Sequence, residues 1–347
     1  MERAPSAVAS IALHRDFAER DAAPRVFAPG ASKLLVAPAL PLPASLVSTF
    51  RTNARTEKAR STPWWLWCNV LSIDAPIVAV VWSELFARST GGSISWVEAS
   101  GLALVVWVIY VFDRLLDGRG APRTVVLKAR HLFCRRHRAP LASLLLVAAL
   151  FIFYLAACHL HAAEMGAALG LAAILALYMA CIHLGRSRTL WIFPKEILVG
   201  TLFVAGGTLP CWSRSVWFPW NTALPFMLFA LLCSLNCLSI ECWENCVGDG
   251  AASGATDDRP NSLVAWADRR INLVSVLLAT AAGLAALLPE TSRAFCYPLV
   301  AIGGGSVLLL LLNCGRRRLS PPALRVLADA ALLLPAGFAL VMLGLRG

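Results

Sequence analysis

The sequence predicts an all-α integral membrane protein, and three observations lead to this fold class. Of its 347 residues, 58% are hydrophobic and 15% are charged, whereas soluble domains carry roughly 25% charged residues. Apolar windows of about 20 residues, the length that crosses a bilayer, recur along the chain. The net charge of +11 comes from short basic clusters between these windows. A nucleic-acid-binding protein would instead show one continuous basic face, so we expect no nucleic-acid partner.

Residues 1–60 are predicted to be a flexible cytoplasmic tail that precedes a transmembrane domain over 61–347. The tail is rich in Ala, Pro, Arg and Ser, and its one apolar stretch, residues 33–47, contains three prolines. Prolines inside that stretch prevent a spanning helix. The tail also lacks the uninterrupted apolar centre of a secretory signal.

Nine transmembrane helices are predicted in the domain that follows the tail. Each window is close to the length of a spanning helix. The fifth window contains Gly200, Gly206, Gly207 and Pro210, which predict a broken or tilted helix. The nine windows are 64–87, 94–112, 139–158, 162–184, 195–212, 219–240, 271–288, 294–313 and 324–345.

The basic residues orient these helices with the N-terminus in the cytoplasm. In that orientation the inside segments hold 27 of the 31 lysines and arginines, and the others are Arg88, Arg214, Arg293 and Arg346. This asymmetry follows the positive-inside rule. We expect the inner (plasma) membrane of a bacterium, contact with anionic membrane lipid, and an active face on the cytoplasmic side.

The connection after the second window reads Tyr110-Val-Phe-Asp113-Arg114-Leu-Leu-Asp117. Residues three or four apart share a helix face, so Asp113, Asp117 and Tyr110 are expected to lie together. Arg114 lies between the two aspartates, and Arg130 follows a little later in the chain. Both arginines are candidates to contact phosphate oxygens.

The connection after the sixth window also carries acids, and it extends from Asn236 through Glu241 and Glu244 to Asp249. Two acidic groups on one side of a bundle repel each other unless a cation lies between them. Carboxylate and phosphate oxygens are the ligands of Mg²⁺, so the two connections predict a magnesium–diphosphate site. The alternative is that these acids are solvated charges at helix ends. The candidate magnesium ligands are Asp113, Asp117, Glu241, Glu244 and Asp249.

Two polar residues, Asn69 and Asp74, fall inside the first window. Asp74 is about ten residues along that window and therefore near the middle of the bilayer at about 1.5 Å per residue. An ionisable residue at that depth is a functional candidate, and the alternative is a protonated carboxyl that bonds across helices. Two charge pairs with i,i+4 spacing at helix ends are expected to be structural: Glu84 with Arg88, and Arg325 with Asp329.

Three aromatic residues lie near the acidic connections or on inward-turned helices: Tyr110, Tyr178 and Trp243. Aromatic faces attract cations, so these three are the candidates if the site has a cation to stabilise. Interfacial belts explain most of the other aromatic residues.

The order of these features resembles the UbiA-type intramembrane prenyltransferases, a nine-helix bundle with acidic motifs after the second and sixth helices. The first family motif is N-D-x-x-D-x-x-x-D. Asp113 and Asp117 match its last two acids, while Ile109 and Tyr110 occupy the leading positions. The second motif, D-x-x-x-D, is represented either by Glu241 with Asn245 or by Glu244 with Asp249.

The segment between the fourth and fifth windows is similar to the same family. Tyr178 corresponds to the family's tyrosine, and Lys195 opens a segment like its fifth helix. Ile182 and His183 stand where the family usually has a basic residue. The matching positions of the fifth helix are Pro194, Gly200, Phe203, Gly206 and Pro210.

The resemblance implies a magnesium-dependent transfer of a prenyl group from a prenyl diphosphate to a lipophilic acceptor, or cyclisation of the prenyl chain itself. It implies reaction roles for Asp113 and Asp117, with Arg114 and Tyr110 beside them. Asp74 and Asn69 match no family motif and are further catalytic candidates, expected to orient the acceptor. Substrate contacts are expected from Tyr178, Lys195, Arg130, Asn236 and Trp243. A secondary transporter and a catalytically inactive UbiA-like binding protein remain alternatives.

Overall fold

Helices make up all the regular structure in the described part of the chain. The computed structural model describes residues 63–120, 129–184, 195–213, 220–245, 262–289, 291 and 293–345, which belong to the unit Ser61–Gly347. The helices are α1 (Trp67–Val70), α2 (Asp74–Ser89), α3 (Trp96–Gly120), α4 (Ala129–Arg136), α5 (Arg138–His159), α6 (Ala162–Leu184), α7 (Lys195–Gly207), α8 (Leu209–Ser213), α9 (Trp220–Asn245), α10 (Ser262–Leu287), α11 (Cys296–Gly315) and α12 (Pro321–Gly344). Short 3₁₀ turns cover Trp64–Leu66 and Arg316–Arg318.

Seven of these helices are long and apolar enough to cross a membrane, namely α3, α5, α6, α9, α10, α11 and α12. An eighth span is obtained if the bent segment Trp64–Ser89 counts as one. The predicted fifth window forms α7, of 13 residues, and the short α8. At about 1.5 Å per residue, α7 alone is shorter than a bilayer core. Several long apolar helices therefore indicate an integral membrane protein, as the sequence predicts.

The chain bends by 76° between α1 and α2, in the middle of the first predicted window. Pro76 has no N–H, and its ring would clash with the carbonyl of Ser72 in a continuous helix. The chain instead restarts its helix at Asp74, so that Pro76 falls in the first turn, where its missing N–H costs nothing. Ser72 adopts a left-handed φ of 58° at the bend. The expectation of one continuous helix over 64–87 is therefore wrong, and Asp74 begins α2.

Stacked aromatic rings fix α2 against α9. The ring centroids of Trp82 and Phe229 are 4.0 Å apart, and those of Phe86 and Phe226 are 4.4 Å apart. The Trp82 Nε1–H donates to the carbonyl of Leu332 in α12 at 3.1 Å. Burying large aromatic side chains dominates core energetics, so this cluster holds together three of the helices that carry the candidate site.

Close packing of α7 on α9 depends on Gly200. A Cβ at this position would lie 2.8 Å from the backbone nitrogen of Ser234 and would clash with its hydroxyl. We expect Gly200→Ala to destabilise the protein by about 1–3 kcal/mol, the usual effect of overpacking. Thermal unfolding in detergent micelles measures this loss.

Gly283→Ala is the matched control, since a Cβ there meets no atom within 4 Å. Alanine has a higher helix propensity than glycine, so this control should unfold at the same or a slightly higher temperature. Equal destabilisation of both variants would show that α7 does not pack on α9 as closely as described.

Candidate functional site

A cavity of about 1520 Å³ lies among the helices, and most of its lining is apolar. Residues near the beginning of α3, such as Trp96 and Glu98, line it, and so do Asp113 and Arg114 near the end of that helix. Glu98 and Asp113 are fifteen residues apart, which corresponds to about 22 Å along a helix. The cavity is therefore long enough to hold an extended apolar chain.

The basic residues of the cavity wall, Arg114, Lys195 and Arg325, gather at one end of this cavity, whereas Glu98 lines it near the other end of α3. Asp113 of α3 and Glu241 of α9 both line it, so the two acidic connections meet at one cavity as expected from the sequence. Lys195 and Tyr178 line the same cavity from α7 and α6. Eight predicted site residues are found on its wall: Asp74, Tyr110, Asp113, Arg114, Tyr178, Lys195, Asn236 and Glu241.

The other predicted site residues are placed elsewhere. Asn69 lies behind the wall and donates from Nδ2 to Asp74 Oδ2 at 2.7 Å. Trp243 is 3% exposed, and its Nε1–H donates to Asn313 Oδ1 at 2.8 Å in the core. Asp117 is exposed and is not among the lining residues. Asp249 lies outside the described residues.

Glu244 is held between two arginines. Its Oε1 lies 3.1 Å from Arg130 Nη1 and 3.4 Å from Arg325 Nη1. The three side chains are 9%, 13% and 18% exposed, in the order Glu244, Arg130 and Arg325. Burial lowers the pKa of Arg130, and the hydrogen bond that Arg130 donates to Glu244 opposes that shift. Because Arg130 and Arg325 already neutralise this carboxylate, Glu244 is not placed to be a metal ligand in this conformation.

Arg114 connects the bend of the first segment to the cavity. Its Nη1 donates to the carbonyls of Asn69 and Val70 at 2.7 and 3.3 Å, at the end of α1. Carbonyls at a helix end have no partner within the helix, so this bond satisfies them. Arg114 is 4% exposed, and its Nη2 makes no hydrogen bond with the described residues. One half of the guanidinium therefore anchors the side chain and the other half is unsatisfied.

Lys195 lies between two carboxylates. Its Nζ is 3.7 Å from Glu241 Oε1 and 3.8 Å from Glu196 Oε1. The side chain of Glu196 is 3% exposed, while Lys195 is 52% exposed. The ammonium group thus balances the acids at this end of the cavity, and its long flexible stem allows it to turn toward an anion instead.

Arg325 and Asp329 line the cavity, although the sequence predicted a merely structural pair. The side chain of Asp329 makes hydrogen-bonding contacts with Asp74 of α2 and Asn236 of α9. The two residues therefore have neighbours on other helices and a place on the cavity wall in addition to their i,i+4 spacing. The signal that was missed is an ionisable residue inside an apolar span, the same criterion that singled out Asp74. By contrast, Arg88 pairs with Glu84 at 2.6 Å, as expected.

The described residues do not form a complete metal site, since no group of three or more His, Cys, Asp or Glu side chains is placed to hold an ion. Mg²⁺ in enzymes is often bound by one or two carboxylates and by the phosphates of the substrate. Asp113 and Glu241 supply two carboxylates on one cavity wall. Two carboxylates are too few for an ion held by the protein alone, so any ion here would need oxygen ligands from a bound molecule.

Comparison of the chain with protein-family models, curated proteins and solved structures finds no match. The resemblance to the UbiA-type prenyltransferases therefore depends on the order of the spans and on the residues of the acidic motifs.

Proposed function

We propose that this protein is a membrane-embedded prenyltransferase that transfers a prenyl group from a prenyl diphosphate to a lipophilic acceptor in a magnesium-dependent reaction. One observation carries the proposal. A single long cavity is apolar over most of its wall and carries Asp113, Arg114, Lys195 and Glu241 at one end. A prenyl diphosphate would match this wall, because its prenyl chain is apolar and its diphosphate group is a compact polyanion.

The basic residues would stabilise the leaving diphosphate. Arg114, Lys195 and Arg325 line the cavity at its polar end, and preorganised positive groups stabilise the charge that develops on a leaving group. A magnesium ion bound by Asp113, Glu241 and the diphosphate would supply Lewis-acid stabilisation of the phosphate oxygens. The phenol rings of Tyr110 and Tyr178 also line the cavity and would stabilise an allylic cation through their faces.

We further propose nine crossings with the polar end of the cavity on the cytoplasmic side of a bacterial inner membrane. The count is reached when the bent segment Trp64–Ser89 and the segment Lys195–Ser213 are each one crossing, in addition to the seven long helices. The distribution of lysines and arginines supports this orientation.

The full chain in lipid nanodiscs tests the proposed activity. We expect it to release diphosphate from a prenyl diphosphate in a series of chain lengths, provided that Mg²⁺ is present. Chelation with EDTA should reduce release to background because the diphosphate loses its charge neutralisation, and added Mg²⁺ should restore it. Release is measured with a coupled phosphate assay, and its absence at every chain length would refute the proposal.

A binding protein without turnover is the second candidate function. The pairing of Glu244 with two arginines favours it, because that acid is withdrawn from the metal set. This candidate predicts that a prenyl diphosphate binds with measurable heat in titration calorimetry, while no diphosphate is released. Release of diphosphate by the wild-type protein decides against it.

A further inference from the structure

Two carboxyl groups from different helices meet on the cavity wall. Asp74 begins α2, Asp329 lies in α12, and both line the cavity. Asp329 makes a hydrogen-bonding contact with Asp74. Two ionised carboxylates have only acceptor atoms and cannot form such a bond, so the pair holds at least one proton.

The neighbours of the pair determine which acid carries the proton. Asp74 accepts a hydrogen bond from Asn69 Nδ2 at 2.7 Å and another from the backbone N–H of Ala75 at 3.0 Å. Because Asp74 already accepts these two hydrogen bonds, Asp329 is the member placed to donate the shared proton to it. The charged and titratable groups that face the pair are Arg325 of α12, Tyr110 and Arg114 of α3, and Cys237 of α9.

A separate observation points to a ligand beside this pair. Asn236 contacts Asp329 and lines the cavity. It is 5% exposed, and its Oδ1 has no hydrogen-bond partner among the described residues. A buried polar atom without a partner costs about 1–3 kcal/mol. A ligand that brings an O–H or N–H group to Asn236 would remove this cost and place that group next to the two acids.

We infer that the Asp74–Asp329 pair takes up the proton of a hydroxyl- or amine-bearing acceptor, an inference that rests on the proposed function. The acceptor oxygen or nitrogen forms a bond to the prenyl carbon as the bond from that carbon to the diphosphate oxygen breaks. Diphosphate leaves with the electron pair, and the acceptor proton passes to the carboxylate. The pair thereby changes from one proton and a single negative charge to two protons and no charge.

Infrared spectroscopy of the full chain in nanodiscs, without substrate, tests whether the pair holds a proton. The carbonyl stretch of a protonated carboxyl group is expected in the wild type and should be lost or shifted in Asp329→Asn and in Asp74→Asn. Asp268→Asn is the matched control, since Asp268 contacts Arg316 and does not line the cavity. An identical band in all four proteins would overturn the inference.

A second measurement tests the role of the pair with a protic acceptor. General acid–base groups contribute about 10²–10⁴-fold, so the ratio of prenylated product to released diphosphate should fall by that factor in Asp329→Asn and Asp74→Asn. The ratio should stay unchanged in Asp268→Asn. Wild-type product formation should also fall at low pH, where the carboxylate of the pair becomes protonated.

The two proposals fail in different ways. If the wild type releases diphosphate and both pair variants keep the wild-type ratio, this inference is overturned and the prenyltransferase proposal stands. If the wild type shows the infrared band but releases no diphosphate at any chain length, the prenyltransferase proposal is refuted, and the acceptor role falls with it.

Discussion

Replacing Glu244 with alanine is expected to destabilise the folded protein by about 3 kcal/mol, because it removes the carboxylate shared by two arginines whose side chains are only 13% and 18% exposed. Glu244 lies in α9, and its partners Arg130 and Arg325 lie in α4 and α12. Removing one carboxylate therefore breaks the ionic connection among three helices. Thermal unfolding of the full chain in detergent micelles, followed by circular dichroism, measures the loss.

Asp268→Ala is the control for this prediction. Asp268 pairs with Arg316, and the two side chains are 32% and 29% exposed. Ion pairs that water reaches contribute about 0–1 kcal/mol, so this variant should unfold close to the wild-type temperature. Similar losses in the two variants would contradict the view that burial makes the Glu244 cluster the stronger one.

The membrane-crossing helices could be predicted from the sequence because a span depends on mean composition over about 20 residues and hardly on what packs against it. The break between α7 and α8 was also foreseeable from the glycines and the proline in that window. The bend near Ser72 was missed, although Pro76 signals it four residues later. A hydropathy window averages over a single proline and therefore reports one continuous helix.

The candidate site was predictable to the extent that it depends on chain order. Asp113 and Glu241 each follow an apolar window that ends on the same side, so their shared cavity follows from topology. The contact of Arg325 with Glu244 could not be anticipated in this way, since 81 residues separate the two. Such contacts depend on which faces of the helices meet, and hydropathy does not encode that choice.

The neighbours of Asp329 on other helices also could not be predicted from its own helix. Its i,i+4 neighbour Arg325 offers a sufficient local explanation for a charge in an apolar span. The contacts of Asp329 with Asp74 and Asn236 come instead from two other helices. The i,i+4 spacing alone therefore does not indicate that Asp329 lies on the cavity wall.

The largest effect on activity is expected from Asp113→Asn, which should lower diphosphate release by about 10²–10³-fold, the usual loss when one group that stabilises developing charge is removed. Asp113 lines the cavity together with Glu241, and the amide that replaces its carboxylate would bind magnesium poorly. Initial rates of diphosphate release at saturating prenyl diphosphate and Mg²⁺ measure the effect. Unfolding temperatures of the same samples separate it from a loss of folded protein.

Asp117→Asn is the matched variant, because Asp117 lies one helical turn away and belongs to the same sequence motif. The structure leaves Asp117 exposed and off the cavity wall, so its rate should stay within an order of magnitude of the wild type. Equal losses in both variants would mean that both acids bind the metal, as the motif alone implies. If neither variant loses activity, Asp113 and Asp117 do not stabilise the leaving diphosphate. The stabilising charge must then come from the arginines and Lys195.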